Sequence, residues 1–128
     1  MLPILVDTDI LIDIANDDAT AKFRLRRESE VATLAISTIT AMELTIGCRN
    51  KAELRALQEF LAQFSELPLT SQVGDRATQL LATYYLSHGL LIADALVAAT
   101  AIEYQIPLLS KNQRDFRFIA TLELLPYP

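Results

Sequence analysis

Five carboxylates stand where a fold can gather them: Asp7, Asp9, Glu43, Asp94 and Asp115. The first two close residues 3–9, Pro-Ile-Leu-Val-Asp-Thr-Asp, where a run of strand-forming residues meets two acids separated by a threonine. A short continuous apolar run reads as a strand covered on both faces. In open α/β sheets, ligands bind beyond the carboxyl ends of the strands, and Asp7 and Asp9 fall at such an end. Glu43 sits early in a helix predicted to follow a second strand. Asp94 occupies the first turn of an alanine-rich helix, and Asp115 follows the apolar pair Leu108-Leu109. A parallel sheet brings all these points to one rim. Clustered carboxylates raise one another's pKa and resist ionisation, a penalty that a divalent cation removes. Oxygen donors, with no histidine or cysteine among them, suit Mg²⁺ or Mn²⁺ rather than Zn²⁺.

Each acid also has a plainer use. Asp7 can simply end its strand while Thr8 or Asp9 caps the next helix. Glu43 lies three residues after Thr40, the spacing of a capping box, although Ser37 and Thr38 are earlier candidates for that helix start. Asp94 suits a helix dipole, yet it lies within the nearly all-apolar residues 90–99, where a carboxylate needs a partner. Asp115 fits a turn equally well. Singly the signals are weak; their order and strand-end positions together favour a metal site.

The elements that must position these acids alternate. After the first strand, residues 10–15 form an apolar helical turn stopping near Asn16, and Asp17, Asp18 and Thr20 offer caps for a basic helix to about Glu30. Leu34-Ala35-Ile36 is a short strand, and Ser37 or Thr38 caps a helix over residues 39–48. Asn50 and Glu53 open another helix, whose Leu54, Leu57, Leu61 and Phe64 fall at helical spacing. Residues 66–69 are briefly extended around Pro68. Thr70 or Ser71 caps a long helix through Tyr84 and Tyr85, closed by Ser87-His88-Gly89 with Gly89 as the left-handed cap. His88, the lone histidine, reads as a cation at a helix C-terminus and not as a catalyst. Residues 92–104 make the helix of Asp94. Residues 106–110 are a buried strand running into a polar turn at 111–115, and residues 123–126 suit an edge strand, where proline is tolerated. Strands joined by helices require right-handed crossovers and a parallel sheet between helical layers. The expectation is a single three-layer α/β/α domain over residues 1–128 with a short parallel central sheet.

Bulk composition bounds the rest. At 128 residues the chain can build a full core without staples, and a mean hydropathy of +0.28 suits strands covered on both sides. No apolar stretch approaches membrane-spanning length, and no charged, cleavable leader precedes the first strand. The single cysteine, Cys48, has no internal partner; it is expected to be a small buried residue in a reducing, cytoplasmic setting. A net charge of −5 is the wrong sign for gripping phosphates. Setting the five acids aside for a metal leaves the remainder neutral. The cations cluster as Lys22, Arg24, Arg26 and Arg27, then Arg49, Lys51 and Arg55, then Lys111, Arg114 and Arg117. Such clusters are commonly solvated faces.

Four blocks carry a family resemblance. They are residues 6–13 (Val-Asp-Thr-Asp-Ile-Leu-Ile-Asp), 37–47 around Ala41-Met42-Glu43-Leu44, 92–101 around Asp94, and 108–116 ending in Arg114-Asp115-Phe116. In order and spacing they resemble, over essentially the whole chain, a PIN domain, and most closely the VapC-type toxin ribonucleases of toxin–antitoxin pairs. The resemblance implies acids collected at one sheet edge, binding Mg²⁺ or Mn²⁺ and cutting single-stranded or looped RNA. Carried over by position, Asp7, Glu43 and Asp94 form the acidic core, with Asp7 and Asp94 direct ligands and Glu43 a ligand directly or through water. For the fourth position both Asn112 and Asp115 are eligible; Asp115 is the better ligand, being anionic, and Asn112 a hydrogen-bonding residue. Thr8 matches a hydroxyl position beside the first acid. Asp9 replaces the usual small polar residue, as an extra ligand or a helix cap. The resemblance further implies a cognate antitoxin that inserts a segment into the acidic groove, and a homodimer. Leu57, Phe60, Leu61 and Phe64, or Leu80, Leu81 and Tyr84, are candidates for such contacts, although apolar helical stripes are more often core.

Two other readings compete. Asp-x-Asp after a first strand also opens the haloacid-dehalogenase-like phosphatases, with Asp7 as acyl-phosphate nucleophile, Asp9 as general acid and Lys111 as phosphate-binding lysine. Leu11 sits where a threonine or valine is usual there, and Glu43 has no place in that scheme. The other is a PIN-like module that binds RNA or a partner without cutting, for which a costly acidic cluster has no use.

Overall fold

The computed structural model describes residues 2–128. Its centre is a five-stranded sheet in the order β3-β2-β1-β4-β5, parallel throughout. The strands are β1 (Pro3–Val6), β2 (Thr33–Ser37), β3 (Ser65–Leu67), β4 (Leu108–Leu109) and β5 (Leu124–Leu125). Side chains alternate across a strand, and here both faces are apolar. Leu5, Ala35, Leu108 and Leu124 point to one core, and Ile4, Val6, Ile36, Leu109 and Leu125 to the other. A sheet of this kind must be covered twice.

Helices supply both covers. α1 (Thr8–Ala15), α2 (Ala19–Ser29) and α4 (Lys51–Leu61) close the second face through Ile10, Leu11, Ala21, Leu25, Phe60 and Leu61. α5 (Ser71–His88), α6 (Ile92–Glu103) and the single turn α7 (Gln113–Phe116) close the first through Val73, Ala77, Ala98 and Phe116. α3 (Thr38–Ile46) lies between them, with Ile39 in one core and Leu44 in the other. The run of buried small residues Ala95, Ala98, Ala99 and Ala101 lets α6 approach its neighbours closely. The three-layer α/β/α arrangement expected from the alternating pattern is the one observed.

Several local expectations shift. The turn expected over residues 111–115 runs into α7, Gln113–Phe116. β3 ends at Leu67, before Pro68, rather than running to Leu69. The helix expected over residues 39–48 is Thr38–Ile46, capped by the Ser37 hydroxyl, which accepts from the Ile39 amide at 3.3 Å. Glu43 is therefore not part of a capping box with Thr40. Cys48 is half-buried instead of enclosed, its Sγ 3.6 Å from the Leu44 carbonyl oxygen. Phe60, Leu61 and Phe64, like Leu80, Leu81 and Tyr84, pack into the cores rather than standing free. Arg24 leaves the first basic cluster altogether. It is 6% exposed, donates to Glu28 Oε1 at 2.9 Å and to the Pro126 carbonyl at 2.7 Å, and so pins α2 to the chain's last residues.

Gly89 caps α5 at φ +70°. No heavy atom lies within 4 Å of where a Cβ would stand, so only backbone strain opposes a side chain there. Gly89→Ala is expected to lower stability by about 1 kcal/mol with the fold unchanged, measurable by urea denaturation; an unchanged midpoint would contradict the strain argument.

Candidate metal centre

Asp7 ends β1 and is only 5% exposed. It, and neither Thr8 nor Asp9, is the N-cap of α1: its Oδ1 accepts the Thr8 amide at 2.8 Å. Its Oδ2 accepts the Ser110 hydroxyl at 2.8 Å, across 103 residues of sequence. Parallel pairing of β1 with β4 makes this possible, since Val6 stands opposite Leu109 and the residue after each strand meets its counterpart. Asp9, in the first turn of α1, accepts the Asn112 amide on Oδ2 at 3.0 Å, while its Oδ1 is buried with no hydrogen-bond partner. The Thr8 side chain turns inward. Its hydroxyl donates to Glu43 Oε1 at 2.7 Å and lies 2.9 Å from Thr40 Oγ1, so α1 draws the glutamate of α3 toward the strand end.

Asp94, half-buried in the first turn of α6, and Asp115, exposed on α7, complete the rim. Three of the acids are shifted by these surroundings. Burial pushes Asp7 up to about 7, the Asp9 charge adding to it, while the hydrogen bonds from Ser110 and the Thr8 amide oppose the rise. Burial pushes Asp94 up to about 6, reinforced by the charges of Asp115, Glu43 and Asp9. Asp9 is also raised by burial, against amide hydrogen bonds from Lys111, Asn112 and Ile10. No group of three or more His, Cys, Asp or Glu side chains already stands in an arrangement that holds a metal ion, among the described residues. The donor set nonetheless fits a hard cation: oxygen ligands, buried carboxyls that resist ionising alone, and one orphaned carboxylate oxygen.

A family profile described as the PIN domain matches residues 4–122, nearly the whole chain. The chain belongs to the PIN-domain family. Among curated relatives of this PIN protein, Ribonuclease VapC10 of Mycobacterium tuberculosis is 33% identical over 121 residues, covering 94% of this chain and 90% of the relative. Among solved structures, a toxin–antitoxin complex from Klebsiella pneumoniae superposes with a TM-score of 0.79 at 28% identity, covering 95% of both chains. VapBC2 from Rickettsia felis, bound to a promoter DNA fragment, superposes at 0.82 with 23% identity over 99% of this chain and shares the fold.

All five acids and Thr8 lie at this rim, joined there by Ser110 and Thr40, which the sequence reading did not single out for the site. Ser110 follows a buried strand at the same rim as Asp7, which was the available signal. Asn112 touches the site through its backbone amide, which bonds Asp9 Oδ2 and Ser110 Oγ, each at 3.0 Å. Asp115 is the one of the pair that acts electrostatically on Asp94. The phosphatase scheme loses its lysine, because Lys111 is bound to Asp13 at 2.9 Å, and it leaves unexplained why Thr8 holds Glu43 in the cluster.

Proposed function

We propose that this chain is a divalent-metal-dependent endoribonuclease, the toxin of a toxin–antitoxin pair. The observation that carries the metal is the buried Asp7 beside the half-buried Asp9, whose enclosed Oδ1 has no hydrogen-bond partner, a placement that is unfavourable without a cation. Asp7 and Asp94 would hold Mg²⁺ or Mn²⁺ directly, Glu43 directly or through water, and Asp9 and Asp115 would complete the shell. When bound, the cation neutralises the phosphodiester and acidifies a water for attack on phosphorus. The protein's own part is positional. Ser110 and the Thr8 amide fix both oxygens of Asp7, and Thr8 aims Glu43. Asn112 ties α7, and Asp115 with it, to Asp9.

The VapC relative and the Klebsiella complex support RNA as substrate and an antitoxin as partner. An apolar groove of about 720 Å³, lined by Ile12, Leu44, Cys48, Leu57 and Phe60, opens beside Glu43 and suits an inserted antitoxin segment. Exposed Ile46, Leu86, Leu91 and Ile92 are available for a homodimer or that partner. No helix is long and apolar enough to cross a membrane among the described residues; a nuclease acting on cellular RNA would work in the cytoplasm, and that is the location proposed.

The deciding experiment incubates purified protein with labelled RNA, with and without Mn²⁺. Metal-dependent cleavage supports the reading. Binding without cutting favours the non-cleaving module, and phosphate release from a monoester with RNA intact favours the phosphatase. Thr8→Val tests the positioning of Glu43. It keeps the shape but removes the proton donor, and it is expected to lower kcat about 10- to 100-fold, as loss of groups that orient metal ligands does. The fold, followed by circular dichroism, is expected to be unaltered.

A further inference from the structure

Beside the acidic cluster, a cleft of about 480 Å³ runs from Asp94 and Asp115 to the C-terminus of α5, where its wall is formed by His88, Arg114, Arg117 and Phe118. Five of the chain's cations are held in ion pairs: Lys22, Arg24, Arg49, Arg76 and Lys111. Arg114 and Arg117 are exposed and make no ion pair or side-chain hydrogen bond among the described residues, although carboxylates lie on the same cleft wall. In a chain of net charge −5 whose substrate is a polyanion, free cations next to the acids are where phosphate attraction has to come from.

The second feature is aromatic. The His88 ring stacks on Phe118 with centroids 4.1 Å apart and planes within 10°, and Tyr84 meets both rings edge-on at 5.9 and 5.2 Å. Ser87 Oγ lies 2.7 Å from His88 Nδ1 and fixes the ring's rotation. His88 is exposed while Phe118 is half-buried, so the stack has one face occupied and one open to solvent. A supported aromatic plane beside free guanidinium groups is the combination that holds single-stranded nucleic acid, cations on the phosphates and a ring under a base.

We propose that this cleft is a subsite for the nucleotides flanking the scissile phosphate, in which Arg114 and Arg117 hold backbone phosphates and the open face of His88 stacks a base. The assignment rests on the ribonuclease reading and names residues outside its acidic centre. Stacking of this kind accepts every base, so the subsite sets affinity and register for unpaired RNA more than sequence choice. His88 is thereby a binding residue that never touches the reacting phosphorus.

The test uses the full chain carrying Asp7→Asn, which keeps RNA intact, and a short fluorescein-labelled single-stranded RNA of random sequence. Affinity is measured across a salt series at pH 8. Arg114→Ala and Arg117→Ala are each expected to flatten the dependence of log K on log salt by about 0.7, the value of one lost phosphate contact on a single strand. His88→Ala is expected to weaken binding about tenfold with the salt slope kept, and His88→Phe to restore it. With Asp7 restored, the same variants are expected to raise KM and hold kcat. Arg26→Ala, exposed on α2 and outside the cleft, is the control. Cleft variants that match the parent in affinity and slope, or an Arg26→Ala effect of equal size, overturn the subsite while leaving the nuclease reading standing. Cleft-dependent RNA binding by a protein that never cuts supports the subsite and sinks the nuclease reading instead.

Discussion

Asp7→Asn is expected to abolish RNA cleavage, by a thousandfold or more, while making the metal-free protein more stable at pH 8. Under the proposed role of Asp7 as a direct ligand, its loss forfeits several kcal/mol of charge stabilisation at the phosphate, and about 4 kcal/mol corresponds to a thousandfold in rate. The stability gain follows from where Asp7 sits. Its carboxyl is buried and beside Asp9, so an ionised side chain without a cation opposes folding. Asparagine accepts the Thr8 amide through its oxygen, and its amide nitrogen donates to Ser110 Oγ in a reversal of the native bond, so both positions stay hydrogen-bonded. A gain of about 1–3 kcal/mol in urea denaturation is expected, because a buried charge has been exchanged for a neutral, hydrogen-bonded group. An inactive variant that is also less stable than its parent would show that Asp7 serves the fold and not a cation.

Stability without metal is expected to fall as pH rises from about 4 to 8, and divalent ions are expected to reverse the fall. Asp7 and Asp94 titrate near 7 and 6 in the native state against 3.8 in the unfolded chain. Between those values the folded protein binds more protons than the unfolded one, so stability falls with increasing pH. The contribution is complete below about pH 4 and gone above about pH 7. For the buried Asp7 alone, the loss has a ceiling of about 4 kcal/mol. A cation replaces the missing protons. Mn²⁺ at about 100 times its Kd adds about 2.7 kcal/mol at pH 8, a rise on the order of 10 °C in Tm for a domain of this size. At pH 5, with Asp7 and Asp94 largely protonated, the increment is expected to shrink. Thermal melts at both pH values, with Mn²⁺ or EDTA, check this; a metal effect of equal size at pH 5 and pH 8 would count against the carboxyls as its source.

How much could be read in advance depended on whether a feature was local. β1 was legible because Ile4, Leu5 and Val6 are apolar without alternation, and Asp7 marks where that ends. The caps Asp18, Ser37, Asn50 and Thr70 were readable because a cap needs only its own helix. The acids were legible as a group since strand ends in a parallel sheet share a rim. Contacts that join distant residues were not. The strand end before Ser110 puts it on the rim of Asp7 but does not select that acid as its partner, and nothing near Arg24 announces the Pro126 carbonyl. The stack of His88 on Phe118 is set by how α5 meets the segment after α7, which no periodicity encodes. Thr8 and Asp9 looked like caps because cap chemistry and ligand chemistry use the same oxygens; only the fold shows that Asp7 caps while Thr8 faces inward.

The pairing of β1 with β4 has a bearing on biosynthesis. A nascent polypeptide that has reached residue 100 already carries Asp7, Glu43 and Asp94, but not Leu108 and Leu109, which flank β1 in the sheet, nor Ser110, which steadies its terminal acid. During synthesis the proposed acidic centre therefore stands without its β4 wall, and Asp7 without the hydroxyl that holds its Oδ2, until Ser110 has been added.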